Sequence, residues 1–108
     1  MSASYFISTI AEQDIDDAIT YLAKENPKAA HDFVDALYDS FEKLADNPML
    51  GHSREDLTKH VVRFWTFKWH YLVIYKPNKP IEIVRVLSSY RDIANTLKVF
   101  YLKNAPRK

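Results

Sequence analysis

The chain has no cysteine, and its only glycine is Gly51. The first absence removes disulfides and thiolate metal sites, and it fits a reducing cytoplasm. The second removes every glycine-rich phosphate loop and the G-x-S-x-G nucleophile turn of serine hydrolases. No apolar run approaches the roughly 18 residues needed to cross a bilayer, so no membrane partner is expected. No basic segment leads into an apolar run at the N-terminus, so no secretory leader is read there. The four histidines, His31, His52, His60 and His70, lack ligand spacing. Neither a metal site nor any other cofactor is expected.

Acidic residues are scarce in one half only. Residues 57–108 carry two acids, Glu82 and Asp92, against eleven bases, which gives +9. Residues 1–56 carry twelve acids against four bases, which gives −8. The formal net charge of +1 therefore conceals a two-faced molecule. Its basic half can meet nucleic acid or an acidic protein, and its acidic half can simply complement it. The 108 residues suffice for one domain, 1–108, and 47% apolar content suits a packed core.

Asn26-Pro27, Asn47-Pro48 and Pro77-Asn78-Lys79-Pro80 punctuate the chain. Tyr5–Ile10 reads as a short strand. Thr9 and Glu12 have capping-box spacing, and Ile15, Ala18, Ile19 and Leu22 recur at helical spacing from about Ala11 to Lys24 or Glu25. Asn26 caps a second helix with Pro27 in its first turn. That helix carries Ala30, Phe33, Val34, Leu37, Tyr38, Phe41, Leu44 and Ala45 on one stripe and ends near Asp46. Leu37 and Phe41 are expected at the centre of the core. Val61–Phe67, Tyr71–Lys76 and Ile81–Leu87 read as an antiparallel meander. Arg63, Glu82 and Arg85 interrupt it, which predicts that part of one sheet face is wet. Arg91–Leu102 reads as a short helix. The fold class is α+β, with order β-α-α-β-β-β: a helical hairpin on a small antiparallel sheet, plus a short C-terminal helix.

Order and spacing then match a family. Ala11-Glu12-Gln13-Asp14-Ile15 is similar to an opening A-E-x-D-L pattern, and Tyr21 stands where an aromatic often precedes the second helix. Leu44, Asn47-Pro48 and Gly51 are similar to L-x-x-x-P-x-x-G, followed by Arg54. Val62-Arg63, Tyr71-Leu72-Val73-Ile74-Tyr75 and Arg85-Val86-Leu87 with Tyr90-Arg91-Asp92 complete the set. From about Tyr5 to Leu97 the chain resembles the RelE/ParE toxins, on the ParE-like side. Ser88 departs from the pattern, standing where ParE-like chains often carry histidine. The resemblance implies a bacterial, cytoplasmic toxin of a type II toxin–antitoxin pair that inhibits DNA gyrase and is held off by a cognate antitoxin. The alternative it implies is a RelE-like, metal-independent endoribonuclease that cuts messenger RNA in the ribosome.

The two readings use overlapping residues. A gyrase inhibitor needs a binding surface, for which Arg63, Arg85, Tyr90 and Arg91 are the candidates. All can cluster at one end or face of the sheet, with Ile93 and Leu97 holding the last segment against the core. A ribonuclease needs a base near the ribose 2′-OH and cations about the phosphate. His70 and Tyr90 are then the acid–base candidates, with Arg63, Arg85 and Arg91 as clamps. The arginine that RelE-like chains carry on the middle strand falls near Leu72, which cannot stabilise a phosphorane. Trp69, Leu97, Phe100 and Tyr101 are the candidate antitoxin contacts. The charge split predicts an acidic antitoxin segment lying along the basic half, in a salt-sensitive complex.

Overall fold

A computed structural model describes residues 4–104, apart from the Trp69 side chain. Its elements are β1 (Tyr5–Ile7), α1 (Thr9–Glu25), α2 (Pro27–Asp46), β2 (Arg63–Phe67), β3 (Tyr71–Lys76), β4 (Ile81–Ser88) and α3 (Ile93–Lys103). A 3-10 turn, Lys68–His70, joins β2 to β3. The helical hairpin, the meander and the C-terminal helix all stand where periodicity and punctuation put them. Among the described residues, no helix is long and apolar enough to cross a membrane.

The sheet order is β1-β4-β3-β2. The meander is antiparallel, as expected, but β1 joins it parallel to β4, with Tyr5 beside Ile81 and Ile7 beside Ile83. The whole sheet is therefore mixed rather than antiparallel. The helical hairpin intervenes between β1 and the meander, so β1 is free of the antiparallel direction that a tight turn imposes.

Ser8, not Thr9, caps α1: its side chain accepts from the Ala11 N–H at 3.0 Å. Ser8 stays extended because its own N–H still bonds Ile83 on the sheet, at 3.0 Å. Its hydroxyl also donates to the Val84 carbonyl at 2.9 Å. One residue thus ends a strand, starts a helix and ties both to β4. The second cap is as read from the sequence, with Asn26 accepting from Lys28 N–H and Pro27 opening the helix.

Two cores flank the sheet. On one face, Ile15, Phe33, Leu37, Phe41 and Leu44 of the hairpin pack on Val73, Tyr75, Ile81, Ile83 and Val86. On the other, Ile93 and Leu97 of α3 pack on Phe64, Leu72, Ile74, Val84 and Leu87. The expectation of a partly wet face holds at its margin only: α3 covers the centre, while Thr66 is exposed and the Lys76 and Glu82 side chains stay 45% and 42% exposed. Leu72, Val73, Ile74 and Tyr75 are consecutive and all buried, as a strand covered on both sides must be. The first meander strand begins at Arg63, two residues later than read. Val61 is 84% exposed, and the β2–β3 ladder ends at the Arg63–Tyr75 pair, two residues before Pro77, which has no N–H to extend it.

Gly51 joins the chain after α2 to this frame. Its N–H donates to the Tyr75 hydroxyl at 2.9 Å, and that hydroxyl donates to the Pro48 carbonyl at 2.7 Å. A Cβ at position 51 would lie 2.6 Å from the Tyr75 oxygen and 2.9 Å from the Phe64 carbonyl. Glycine is needed for close approach, not for a left-handed backbone. Burial pushes the Tyr75 hydroxyl pKa up, which keeps it a donor throughout the ordinary pH range.

Two stability outcomes follow from this packing. Leu37→Ala and Phe41→Ala each remove a wholly buried side chain, and chemical denaturation should show losses of roughly 2–5 kcal/mol. A loss under about 0.5 kcal/mol would mean that the helix faces are misassigned. Gly51→Ala should cost roughly 1–3 kcal/mol by overpacking against Tyr75 and the β2 backbone, whereas an unchanged midpoint would remove the close-approach argument.

Candidate functional site

The arginines divide by what they already hold. Arg85 lies on β4 beyond the end of β1, where that strand's outer edge has no neighbour. A register shift at Ile74/Tyr75 leaves Val84 as the extra residue and sets Arg85 opposite Ile74. Its guanidinium grips Asp14 of α1 through two bonds of 2.8 Å, and one Asp14 oxygen also accepts the Val86 N–H at 3.0 Å. Both side chains are nearly buried, at 13% and 10% exposure. The guanidinium carbon also lies 5.3 Å from the centre of the Phe100 ring on α3. Asp14 therefore stands in for the missing strand neighbour, and Arg85 binds α1 and α3 to the sheet.

Arg63 is committed too. Its Nε donates to the Gly51 carbonyl at 2.8 Å and its Nη2 to the Met49 carbonyl at 3.2 Å. Arg54 is paired with Asp56 at 2.7 Å on the surface. Arg91, by contrast, makes no ion pair or side-chain hydrogen bond among the described residues.

Arg91 lines a small open pocket of about 150 Å³ between α1 and the end of β4. Asp14, Asp17, Tyr21, Tyr71 and Ser88 contribute to its wall. Burial pushes the Tyr71 hydroxyl pKa up, Tyr21 adds to the shift, and the Arg91 charge pulls against both. Tyr21, 63% exposed, and Tyr71 give the pocket aromatic wall, and Tyr90, next to Arg91 in the chain, is 80% exposed outside it. His70 closes the 3-10 turn with φ of 64°, in the left-handed region. Its carbonyl accepts the Ser89 N–H at 2.6 Å, and its ring lies 5.0 Å from that of Tyr90. The Arg91 N–H bonds the Ser88 carbonyl at 3.1 Å, which holds the segment close to the strand end.

The structure thus brings His70, Tyr90 and Arg91 to one end of the meander. Arg63 does not join them. It pairs with Tyr75, whereas the cluster lies by Tyr71, four residues along β3, or roughly 13 Å at the strand rise. Arg85 is held inward by Asp14. The expected cluster of three arginines is therefore reduced to Arg91, because the other two hold the fold together. Leu72, at the position of the RelE-like arginine, is 8% exposed and packed in the α3 core.

Of the candidate antitoxin contacts, Leu97 is 1% exposed and belongs to the core, and Phe100 and Tyr101 are half-buried against the same cluster. Leu97 and Ile93 do hold the last segment in place, as expected. The Trp69 side chain lies outside the described residues. Sequence reasoning missed Asp14, Ser88 and Tyr71 as pocket residues. The Ala11–Ile15 motif contained the first, but nothing in it indicated a partner 71 residues away.

Removing the Asp14 carboxylate would leave Arg85 buried without its counter-charge and the Val86 N–H without an acceptor. Asp14→Ala should cost roughly 3–5 kcal/mol, measured by urea unfolding. If the cost stayed near that of an exposed pair, under about 1 kcal/mol, the pair would not be the tie described.

Comparison with curated proteins finds no match. A family model described as the ParE toxin of type II toxin–antitoxin systems, parDE, matches residues 5–93. The match runs from β1 through the meander and the Arg91 segment to the first residue of α3. The chain belongs to the ParE toxin family of type II toxin–antitoxin systems, within the RelE/ParE superfamily.

Proposed function

We propose that the protein arrests growth by binding DNA gyrase, with Arg91 as the central contact and Tyr90 and His70 beside it, and that a cognate antitoxin neutralises it. One observation carries this reading. Among the described residues Arg91 is the arginine whose side chain makes no ion pair or hydrogen bond, and it shares a pocket wall with Tyr21 and Tyr71. Arginine beside tyrosine is the composition that dominates protein interfaces. Arg63 and Arg85 act as positioning residues that hold the frame. The family supports a toxin, and fold alone does not fix its target.

A second reading has one observation in its favour: His70 and Tyr90 are neighbours, with ring centres 5.0 Å apart. They could serve as base and acid in a ribosome-dependent cut of messenger RNA. That chemistry also needs several cations around the phosphate. Here Arg91 would act without Arg63 or Arg85, whose guanidinium groups are occupied.

Arg91→Ala should abolish growth arrest and gyrase inhibition in a supercoiling assay. Its stability should change by less than about 0.5 kcal/mol, because no internal bond is lost. Antitoxin binding should be retained. Messages cut at the ribosomal A site, with supercoiling untouched, would exclude the gyrase reading and turn attention to His70 and Tyr90.

A further inference from the structure

The outer edge of β4 is satisfied group by group until it reaches the Arg91 pocket. β1 pairs with Ile81, Glu82 and Ile83, and the Ser8 N–H bonds the Ile83 carbonyl at 3.0 Å. The Ser8 hydroxyl donates to the Val84 carbonyl at 2.9 Å, and Asp14 accepts the Val86 N–H at 3.0 Å. Main-chain groups alternate in direction along a strand, so with Val86 facing outward Ser88 faces outward too. The next two groups on this edge are therefore the Val86 carbonyl and the Ser88 N–H. Neither has a partner among the described residues. Val86, Leu87 and Ser88 line the pocket together with Asp17 and Tyr21 of α1 and with Arg91.

We infer that this length of β4 edge pairs with one extended residue of the toxin's protein target, held by its main chain in parallel register. The inference deepens the reading of Arg91 as a target contact and rests on it. In a parallel ladder a residue donates its N–H to one carbonyl, and its own carbonyl accepts the N–H two residues further on. Val86 and Ser88 offer that pair of groups. Antiparallel pairing would need the Val86 N–H, which Asp14 already holds. β1 lies parallel on the same edge, so the docked residue continues its direction. An extended residue suits an opening of about 150 Å³, and a helix about 10 Å across does not. Main-chain bonds supply affinity in such pairing and nearby side chains supply specificity. Tyr21 and Arg91 are the exposed side chains placed to do so. An acidic antitoxin segment fits this pocket less well, because the exposed Asp17 carboxylate stands on its wall. Nucleic acid meets the same carboxylate, with Arg91 the single lysine or arginine among the lining residues.

Ser88→Pro removes the N–H in question at an edge position, where proline is tolerated. In a supercoiling assay it should raise the half-inhibiting concentration about tenfold or more, and on induction it should no longer arrest growth. Ser88→Ala, which keeps the N–H, should do less of both. Both variants should bind the antitoxin as the wild type does. Independently of any variant, the wild-type Ser88 amide should exchange with deuterium freely in the toxin alone and slowly in its complex with gyrase. Proline and alanine variants of equal effect, or a Ser88 amide that stays unprotected in the complex, would overturn the inference and leave the gyrase reading standing. A wild type that leaves supercoiling untouched sinks the gyrase reading. Growth arrest kept by Ser88→Pro would then overturn the inference as well, and arrest lost with proline more than with alanine would support it for another protein target. Messages cut by the wild type and spared by Ser88→Pro would reassign the edge to RNA. Antitoxin binding lost in Ser88→Pro with growth arrest intact would reassign it to the antitoxin, and self-association in sedimentation that the proline abolishes would reassign it to a second copy.

Discussion

The bond between Asp14 and Arg85 is the constraint on which the architecture depends. β1 covers only the first residues of β4, Ile81 to Ile83, and leaves the rest of that edge without a strand. An open edge beside a core is costly, because each buried backbone N–H needs an acceptor. A carboxylate from α1 meets that need at Val86 and neutralises the arginine that follows the β4 bulge. The hairpin layer, the sheet and α3 are thereby tied at one point. An apolar replacement could contribute as much stability. It could not accept the Val86 N–H while also fixing the direction of α1.

The opposite end of the frame depends on Tyr75 and Gly51. The tyrosine is the largest wholly buried side chain, and a hydroxyl there must be satisfied. It accepts from Gly51 and donates to Pro48, so the turn that ends α2 is read directly by the central strand. Arg63 then takes the carbonyls that the turn leaves over, those of Gly51 and Met49. Two arginines that look like surface cations in the sequence are thus consumed by backbone and carboxylate acceptors.

Local signals in the chain make most of the fold legible. Asn26-Pro27 sets the hairpin, the Leu37 and Phe41 stripe sets its buried face, and the Val, Ile and Tyr runs set the meander. The features that escape such signals are non-local. Thr9 competes with Ser8 for the cap on spacing alone, and only the sheet bond from Ser8 N–H to Ile83 decides between them. The interruption of β4 by Arg85 reads as a wet face, because a bulge and a buried partner on α1 leave no periodic trace. The site is legible in the same degree. Tyr90 and Arg91 stand out as a pair after the last strand, and His70 as an outlier at a turn. That Arg63 does not join them depends on register, which strand composition does not encode.

This division of labour among the arginines bears on how such a protein can change its target. A guanidinium held by carboxylate and carbonyl groups, as at Arg85 and Arg63, is coupled to folding, so substitutions there act first on stability. Arg91 is uncoupled from that network, and its segment is held by the backbone bond to Ser88 and by Ile93 and Leu97 beneath. Ser88 itself caps the Tyr90 N–H through its hydroxyl at 3.3 Å, so the residue that departs from the family pattern still serves the loop. The loop's shape is therefore set by main-chain and core contacts, while its outward side chains can vary at little cost to the fold. A loop built in this way can change its outward side chains without rebuilding its scaffold, so the fold by itself is a weak guide to what such a loop meets.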